Sequence, residues 1–189
     1  MPSDLVLHEA FGIERGLINT THAYTSSQSL VDMPTRKLRR GRAAALSLVP
    51  TSTGAARACA LVLPELEGRL DGLAVRAPNA DGSLVDLTVV LSRAATPQQI
   101  NDALREASCT DALRGILGIT DEELVSADIV GDPRSSVVDA TSTMAVGPLA
   151  KVLAWYDNEW GCANRLLECG VLVATGKRPR PMSPVPGEG

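Results

Sequence analysis

Residues 149–161 read LAKVLAWYDNEWG. The stretch predicts a strand over Leu149–Tyr156 that turns at once into a helix running from about Asn158 to Ala174. Asp157 and Asn158 stand where side-chain oxygens can cap the unpaired N–H groups of a first helical turn. The chain has only two Trp, two Tyr and one Phe, and three of these rings (Trp155, Tyr156 and Trp160) sit at this one corner. A strand-to-helix corner packed by its own aromatic rings is the simplest reading.

Working outward from the corner, further strands are expected over Leu70–Ala77 and Leu84–Ser92, both rich in Val and Leu, and over Arg15–Thr21 with its β-branched Ile18, Thr20 and Thr21. Two more are expected near Leu124–Val130 and Val137–Thr141. Helices are expected at Leu5–Phe11, stopped by Gly12, and at Ala55–Leu63 after a turn over Pro50–Gly54. Thr96, Pro97 and Gln99 combine an N-cap, a first-turn proline and a capping-box acceptor, and Ile100, Ala103, Leu104 and Ala107 then form one apolar stripe. A short helix is predicted over Asp111–Leu117, closed by Gly118. Strands outnumber helices without alternating strictly with them, and no glycine-rich βαβ opening is present. The pattern predicts an α+β domain, one sheet with helices on one face.

With 189 residues, 44% hydrophobic, 21% charged and a net charge of −4, the chain fits one self-supporting soluble domain. No apolar run approaches the roughly 20 residues that a membrane-spanning helix needs. An acidic balance argues against a general nucleic-acid binder. A cytoplasmic protein is expected, because MPSDLVLHEA lacks the basic-then-apolar pattern of a secretory signal. Cys59, Cys109, Cys162 and Cys169 form no CxxC pair and have no closely spaced His, so neither a disulfide nor a metal site is expected; buried reduced thiols are. The globular domain is placed at residues 1–174. The Pro- and Gly-rich remainder, 175–189, is expected to be an extended, mobile tail.

Four features could carry chemistry. His22 ends a strand among hydroxyls in THAYT, and a neutral imidazole can take or give a proton near pH 7. Thr51-Ser52-Thr53-Gly54 opens a helix, where free N–H groups and hydroxyls suit an anion. Arg76 ends an apolar strand and could clamp a carboxylate or phosphate. The LRRGR group at 38–42 reads as a solvated face at this net charge. Each has an ordinary structural reading as well: a hydrogen-bonded histidine, a plain helix cap, a surface charge.

Taken in order, THAYT, LRRGRAAA, PTSTGAA, LVLPELEGRLDGLAVR, DATST and VLAWYDNEWG resemble the catalytic domain of the glyceraldehyde-3-phosphate dehydrogenase family, over about Leu7–Ala174. The resemblance implies a single mixed, mostly antiparallel sheet. It implies that His22 matches the base that activates the family's cysteine nucleophile. It places Thr53 and Gly54 at the site for inorganic phosphate, and Thr25 and Arg76 at the site for the substrate's own phosphate, Arg76 serving both anions. Asn158 matches the residue that holds the nicotinamide carboxamide. The loop Thr25–Arg42 matches the one that lines a neighbouring subunit's cofactor site. The final helix matches one that docks on the nucleotide-binding domain.

The departures shape the functional expectation. The family's nucleotide-binding half and its catalytic cysteine are not in this sequence, and none of the four cysteines aligns with that nucleophile. Cys162 stands where the family usually has an aromatic ring, Ser27 replaces a usual Asp, and Asn79-Ala80-Asp81-Gly82 departs from the usual pattern. A complete NAD-dependent dehydrogenase is therefore not expected from this chain alone, nor a bound cofactor. The leading expectation is a repurposed domain doing acid/base chemistry with His22 (isomerisation, elimination or ring closure) on a small acidic, phosphorylated or carbonyl substrate. The alternatives are a non-catalytic binding or scaffold protein, or one subunit of a split dehydrogenase. A homodimer or homotetramer is expected, with no nucleic-acid or membrane partner.

Overall fold

The computed structural model describes residues 2–182. Seven strands form one sheet in the order β2-β3-β1-β4-β7-β6-β5: β1 (Ile13–Ala23), β2 (Val49–Ser52), β3 (Leu70–Ala77), β4 (Ser83–Leu91), β5 (Leu117–Thr120), β6 (Ser136–Val146) and β7 (Leu149–Tyr156). The β1–β3 and β5–β6 pairs are parallel and the other four antiparallel. The helices are α1 (Pro2–Phe11), α2 (Ala55–Val62), α3 (Pro97–Ser108) and α4 (Trp160–Thr175). This is the α+β architecture, with the mixed, mostly antiparallel sheet, that the sequence implied.

Side chains directly opposite each other in a ladder share a face, so the register defines both sides of the sheet. One side carries Ile18, Leu87 and Val152 in a row across β1, β4 and β7. These three are buried, as are Leu7 of α1 and Ile100 and Leu104 of α3 in the same core. Burying each such side chain contributes about 1.5–3 kcal/mol. α3 has the predicted capping box: the Thr96 side chain accepts from the Gln99 N–H at 3.2 Å, and Gln99 Oε1 accepts from the Thr96 N–H at 2.9 Å. The other side carries Leu17, Leu73, Met144 and Leu149, all exposed, beside the Lys151–Asp86 ion pair.

Three predicted elements differ. Residues 111–116 form turns instead of a helix, and Leu117 already belongs to β5. Gly115, with φ +71°, lies inside the segment and breaks helical geometry there. Residues 124–130 hold one turn of 3₁₀ helix, Ser126–Ile129, in place of a strand; the Asp128 carboxylate accepts from the Val125 N–H at 2.8 Å and ties the turn off locally. Pro50–Gly54 is not simply a turn, because Val49–Ser52 pairs with β3 as an edge strand, where Pro50 is tolerated. Among the cysteines only Cys59 is buried; Cys109, Cys162 and Cys169 are exposed, the last two on a helix that presents much of its surface to solvent.

Gly176, with φ +66°, closes α4 by donating its N–H to the Leu172 carbonyl at 2.8 Å. Beyond it Arg178 donates to the Ala112 carbonyl at 2.8 Å, and Pro181 lies over Gly115. The rest of the segment expected to be mobile, 183–189, lies outside the described residues.

Candidate functional site

The rows of the sheet explain where a cavity opens. One step toward the C-terminal end of β1 from the Ile18–Leu87–Val152 row, the paired residues are Ala74, Thr20, Val85 and Ala154. Large core side chains give way to small ones, and the sheet becomes the floor of a cavity of about 400 Å³. The next row supplies its reactive groups. His22 lies directly opposite Arg76 in the parallel β1–β3 ladder, and Tyr156 opposite Ser83 in the β4–β7 ladder. The junction of β2 and α2 brings in Ser52, Thr53 and Gly54, and the start of β6 brings Ser135 and Ser136.

His22, Thr53, Gly54 and Arg76 therefore meet in one cavity, although they are spread over 55 positions of sequence. Arg76 Nη1 is 2.6 Å from His22 Nδ1 and donates to the Ala23 carbonyl at 2.8 Å. The same His22 nitrogen is 2.7 Å from that carbonyl oxygen. The edge of one ring faces the other where His22 meets Tyr156, with centroids 6.1 Å apart and planes at 84°. Thr53 Oγ1 accepts from the Ala55 N–H at 3.2 Å, a local cap on the first turn of α2.

Burial holds the His22 imidazole below its ordinary pKa of 6.5; the bond to Ala23 works against this and the Arg76 charge adds to it. Burial and the neighbouring Arg40 lower the Arg76 guanidinium, and burial raises the Tyr156 phenol. At neutral pH the cavity thus presents a neutral imidazole beside a cation, a combination suited to moving a proton on an anionic molecule. A histidine held low in the fold destabilises the fold once it must charge. Its contribution is whole above 6.5 and is lost as pH falls through the lowered native value. Denaturation followed at a series of pH values is expected to show wild-type stability falling below pH 6.5 more steeply than that of His22→Asn. Parallel curves would show that the ring is not shielded.

Thr25, Asn158 and Cys162 do not line the cavity. Thr25 Oγ1 is paired with Ser27 Oγ at 3.0 Å, and its N–H donates to Gln28 Oε1 at 3.3 Å, both inside the 24–48 loop. Asn158 Oδ1 accepts from Ser83 Oγ at 3.1 Å, and Ser83 Oγ accepts the Ala23 N–H at 3.2 Å, so the two strand ends are laced together. Cys162 is exposed on the first turn of α4. Within the loop, Arg42 pairs with Asp32 at 3.0 Å and Arg40 donates to Thr51 Oγ1 at 3.3 Å.

Ser52 of the Thr51–Gly54 segment also lines the cavity, as do Thr20, Ser135, Ser136 and Tyr156, which the sequence does not mark as site residues. In sequence Tyr156 has the ordinary reading of a corner-packing ring, and isolated serines carry no distinguishing signal. Ser136 Oγ is buried without a hydrogen-bond partner among the described residues. No group of three or more His, Cys, Asp or Glu among the described residues could hold a metal ion. No helix there is long and apolar enough to cross a membrane.

The sequence model described as "Glyceraldehyde 3-phosphate dehydrogenase, C-terminal domain" matches residues 1–158. The chain belongs to the glyceraldehyde-3-phosphate dehydrogenase family, through the C-terminal domain of that family. It is 53% identical over 169 residues to glyceraldehyde-3-phosphate dehydrogenase of Borreliella burgdorferi, covering 88% of this chain and 50% of that protein. It is 52% identical to glyceraldehyde-3-phosphate dehydrogenase 1 of Streptomyces avermitilis (89% and 50% covered) and 50% identical to the Zymomonas mobilis protein (89% and 50% covered). The chain spans about half the length of the curated relatives it matches.

Proposed function

We propose that the cavity binds a small phosphorylated or otherwise acidic carbonyl compound and that His22 moves a proton on it, without a nicotinamide cofactor held by these residues. Isomerisation, elimination and ring closure are the reaction types this supports. The observation that carries the reading is the convergence of a neutral His22, the Arg76 cation and the Thr53–Gly54 junction on one cavity of about 400 Å³. Arg76 has no carboxylate partner among the described residues, so an anion would complete its charge. The start of α2 adds free N–H groups beside the Thr53 hydroxyl.

The relatives' name makes glyceraldehyde 3-phosphate the first probe. Calorimetry is expected to show binding of inorganic phosphate and of this sugar phosphate, weakened at least tenfold in Arg76→Met. In D₂O the C–H beside the carbonyl is expected to exchange for deuterium faster than in buffer alone. Binding without exchange would support a non-catalytic binding protein, and neither binding nor exchange would leave a scaffold.

A second reading has its own support. α4 exposes Trp160, Leu166, Leu167, Leu172 and Val173, an apolar surface suited to a separate polypeptide that supplies the nucleotide-binding half. We also propose a homodimer or homotetramer, covering the exposed Leu17, Leu73, Met144 and Leu149 of the open sheet face. Light scattering of the protein alone and with co-purified partners reads both ideas. A monomeric mass with no captured dehydrogenase half would remove them.

A further inference from the structure

His22 Nδ1, Arg76 Nη1 and the Ala23 carbonyl oxygen form a triangle with sides of 2.6, 2.7 and 2.8 Å. Guanidinium nitrogens only donate and a carbonyl oxygen only accepts. To pair with Arg76, Nδ1 must present its lone pair, and it then faces the Ala23 oxygen with no proton between them. To pair with Ala23, Nδ1 must carry a proton, and that N–H then faces the donors of Arg76. The three contacts cannot all be satisfied at once, and whether Arg76 is present decides which one fails.

We infer that Arg76 is the positioning residue that sets the tautomer of His22, and that an anion entering the cavity reverses it. With the guanidinium on Nδ1, the neutral ring carries its proton on Nε2 and can only donate there. A phosphate or carboxylate takes the guanidinium fork in charge-assisted, two-point hydrogen bonds, roughly twice as strong as neutral ones. Turning the fork toward the anion frees Nδ1, which takes a proton from water, keeps it, and donates a hydrogen bond to the Ala23 carbonyl oxygen. Nε2 gives one up to water, so the ring stays neutral and its Nε2 lone pair becomes a base. Arg76 is available for this because it has no carboxylate partner among the described residues and is repelled by Arg40.

The consequence is a site whose base appears only when an anionic molecule is in place. The change is one of proton position, made while the imidazole keeps its T-shaped contact with the Tyr156 ring. The inference rests on the anion-binding reading above, and the two fail separately.

Nitrogen-15 NMR of the full chain distinguishes the tautomers, with inorganic phosphate as the probe at a pH where His22 is neutral. The Nε2–H form is expected to predominate in the free protein and the Nδ1–H form at saturating phosphate, and Arg76→Met is expected to show the Nδ1–H form without phosphate. If the Thr53 and Gly54 amides respond to phosphate while the His22 tautomer does not, the switch is overturned and anion binding stands. If no amide responds, the anion-binding reading fails and takes the anion-driven step with it. Arg76→Met then tests the Arg76–His22 pairing alone, and an unchanged Nε2–H form overturns that as well. The wild-type titration needs no variant, so misfolding of Arg76→Met does not rescue the idea.

Discussion

Replacing His22 by Asn is expected to lower the rate of proton transfer on a bound carbonyl compound by about 10²- to 10⁴-fold, the usual share of a positioned acid or base. Asparagine fills similar space and can still donate to the Ala23 carbonyl, so the strand end should keep its shape. It has no group that exchanges a proton near neutral pH. Deuterium exchange on the sugar phosphate reports the rate and calorimetry reports binding; rate should collapse while affinity for phosphate, held by Arg76 and the Thr53–Gly54 junction, changes little. Equal rates in His22→Asn and wild type would sink the acid/base reading. A parallel loss of binding would place His22 among the groups that hold the ligand.

Asp157→Ala is expected to be the most destabilising change at the strand-to-helix corner. The Asp157 carboxylate is 5% exposed; Oδ1 accepts the N–H groups of Glu159 at 2.8 Å and Trp160 at 2.6 Å, and Oδ2 accepts that of Gly131 at 2.8 Å. It thus anchors the entry to α4 and the turn after the Ser126–Ile129 3₁₀ helix with one side chain. Hydrogen bonds to a charged group contribute about 1.5–3 kcal/mol each and do not simply add, so a loss of about 3–5 kcal/mol follows. For a domain this size that lowers the melting temperature by roughly 6–20 °C. Asp157→Asn, which keeps one acceptor oxygen, should lose less. A drop under about 2 °C would mean that water replaces the carboxylate at this corner. Because Tyr156 walls the cavity one residue earlier, the damage should also reach phosphate affinity.

The corner was legible because its signals are local: an apolar run, then capping side chains, within a dozen residues. α3 was legible for the same reason, its cap, first-turn proline and stripe being adjacent in sequence. β3 and β7 lie where their Val- and Leu-rich runs placed them. The misread elements depend on distant partners. Val49–Ser52 is a strand only because β3 offers it an edge, and Pro50 masks the signal. Residues 124–130 contain apolar side chains at a spacing a strand could use, yet local hydrogen bonding by Asp128 curls them into a turn. α4 begins at Trp160, two residues later than expected, after a turn in which the Asp157 carboxylate accepts the N–H groups of Glu159 and Trp160.

The candidate site was legible at its polar ends and invisible at its floor. His22, Thr53, Gly54 and Arg76 could be singled out by chemistry and by resemblance. Thr20, Ala74, Val85 and Ala154 could not, because their importance lies in being small and in register across four strands. Thr25 shows the opposite limit: resemblance places it at an anion site, while here its hydroxyl is paired with Ser27, the position where the usual aspartate is replaced.

The parallel pairing of β1 with β3 separates two kinds of freedom in this gene product. His22 and Arg76 are neighbours because two strands agree in phase, whatever the contour of the chain that joins them. Insertions or deletions in the 24–48 loop leave that phase untouched, so the loop can drift in length while the pair persists. Loss or gain of a single residue inside either strand turns one partner to the opposite face of the sheet. Variation in the lineage of this domain should therefore accumulate as loop length and be purged as frame within the strands.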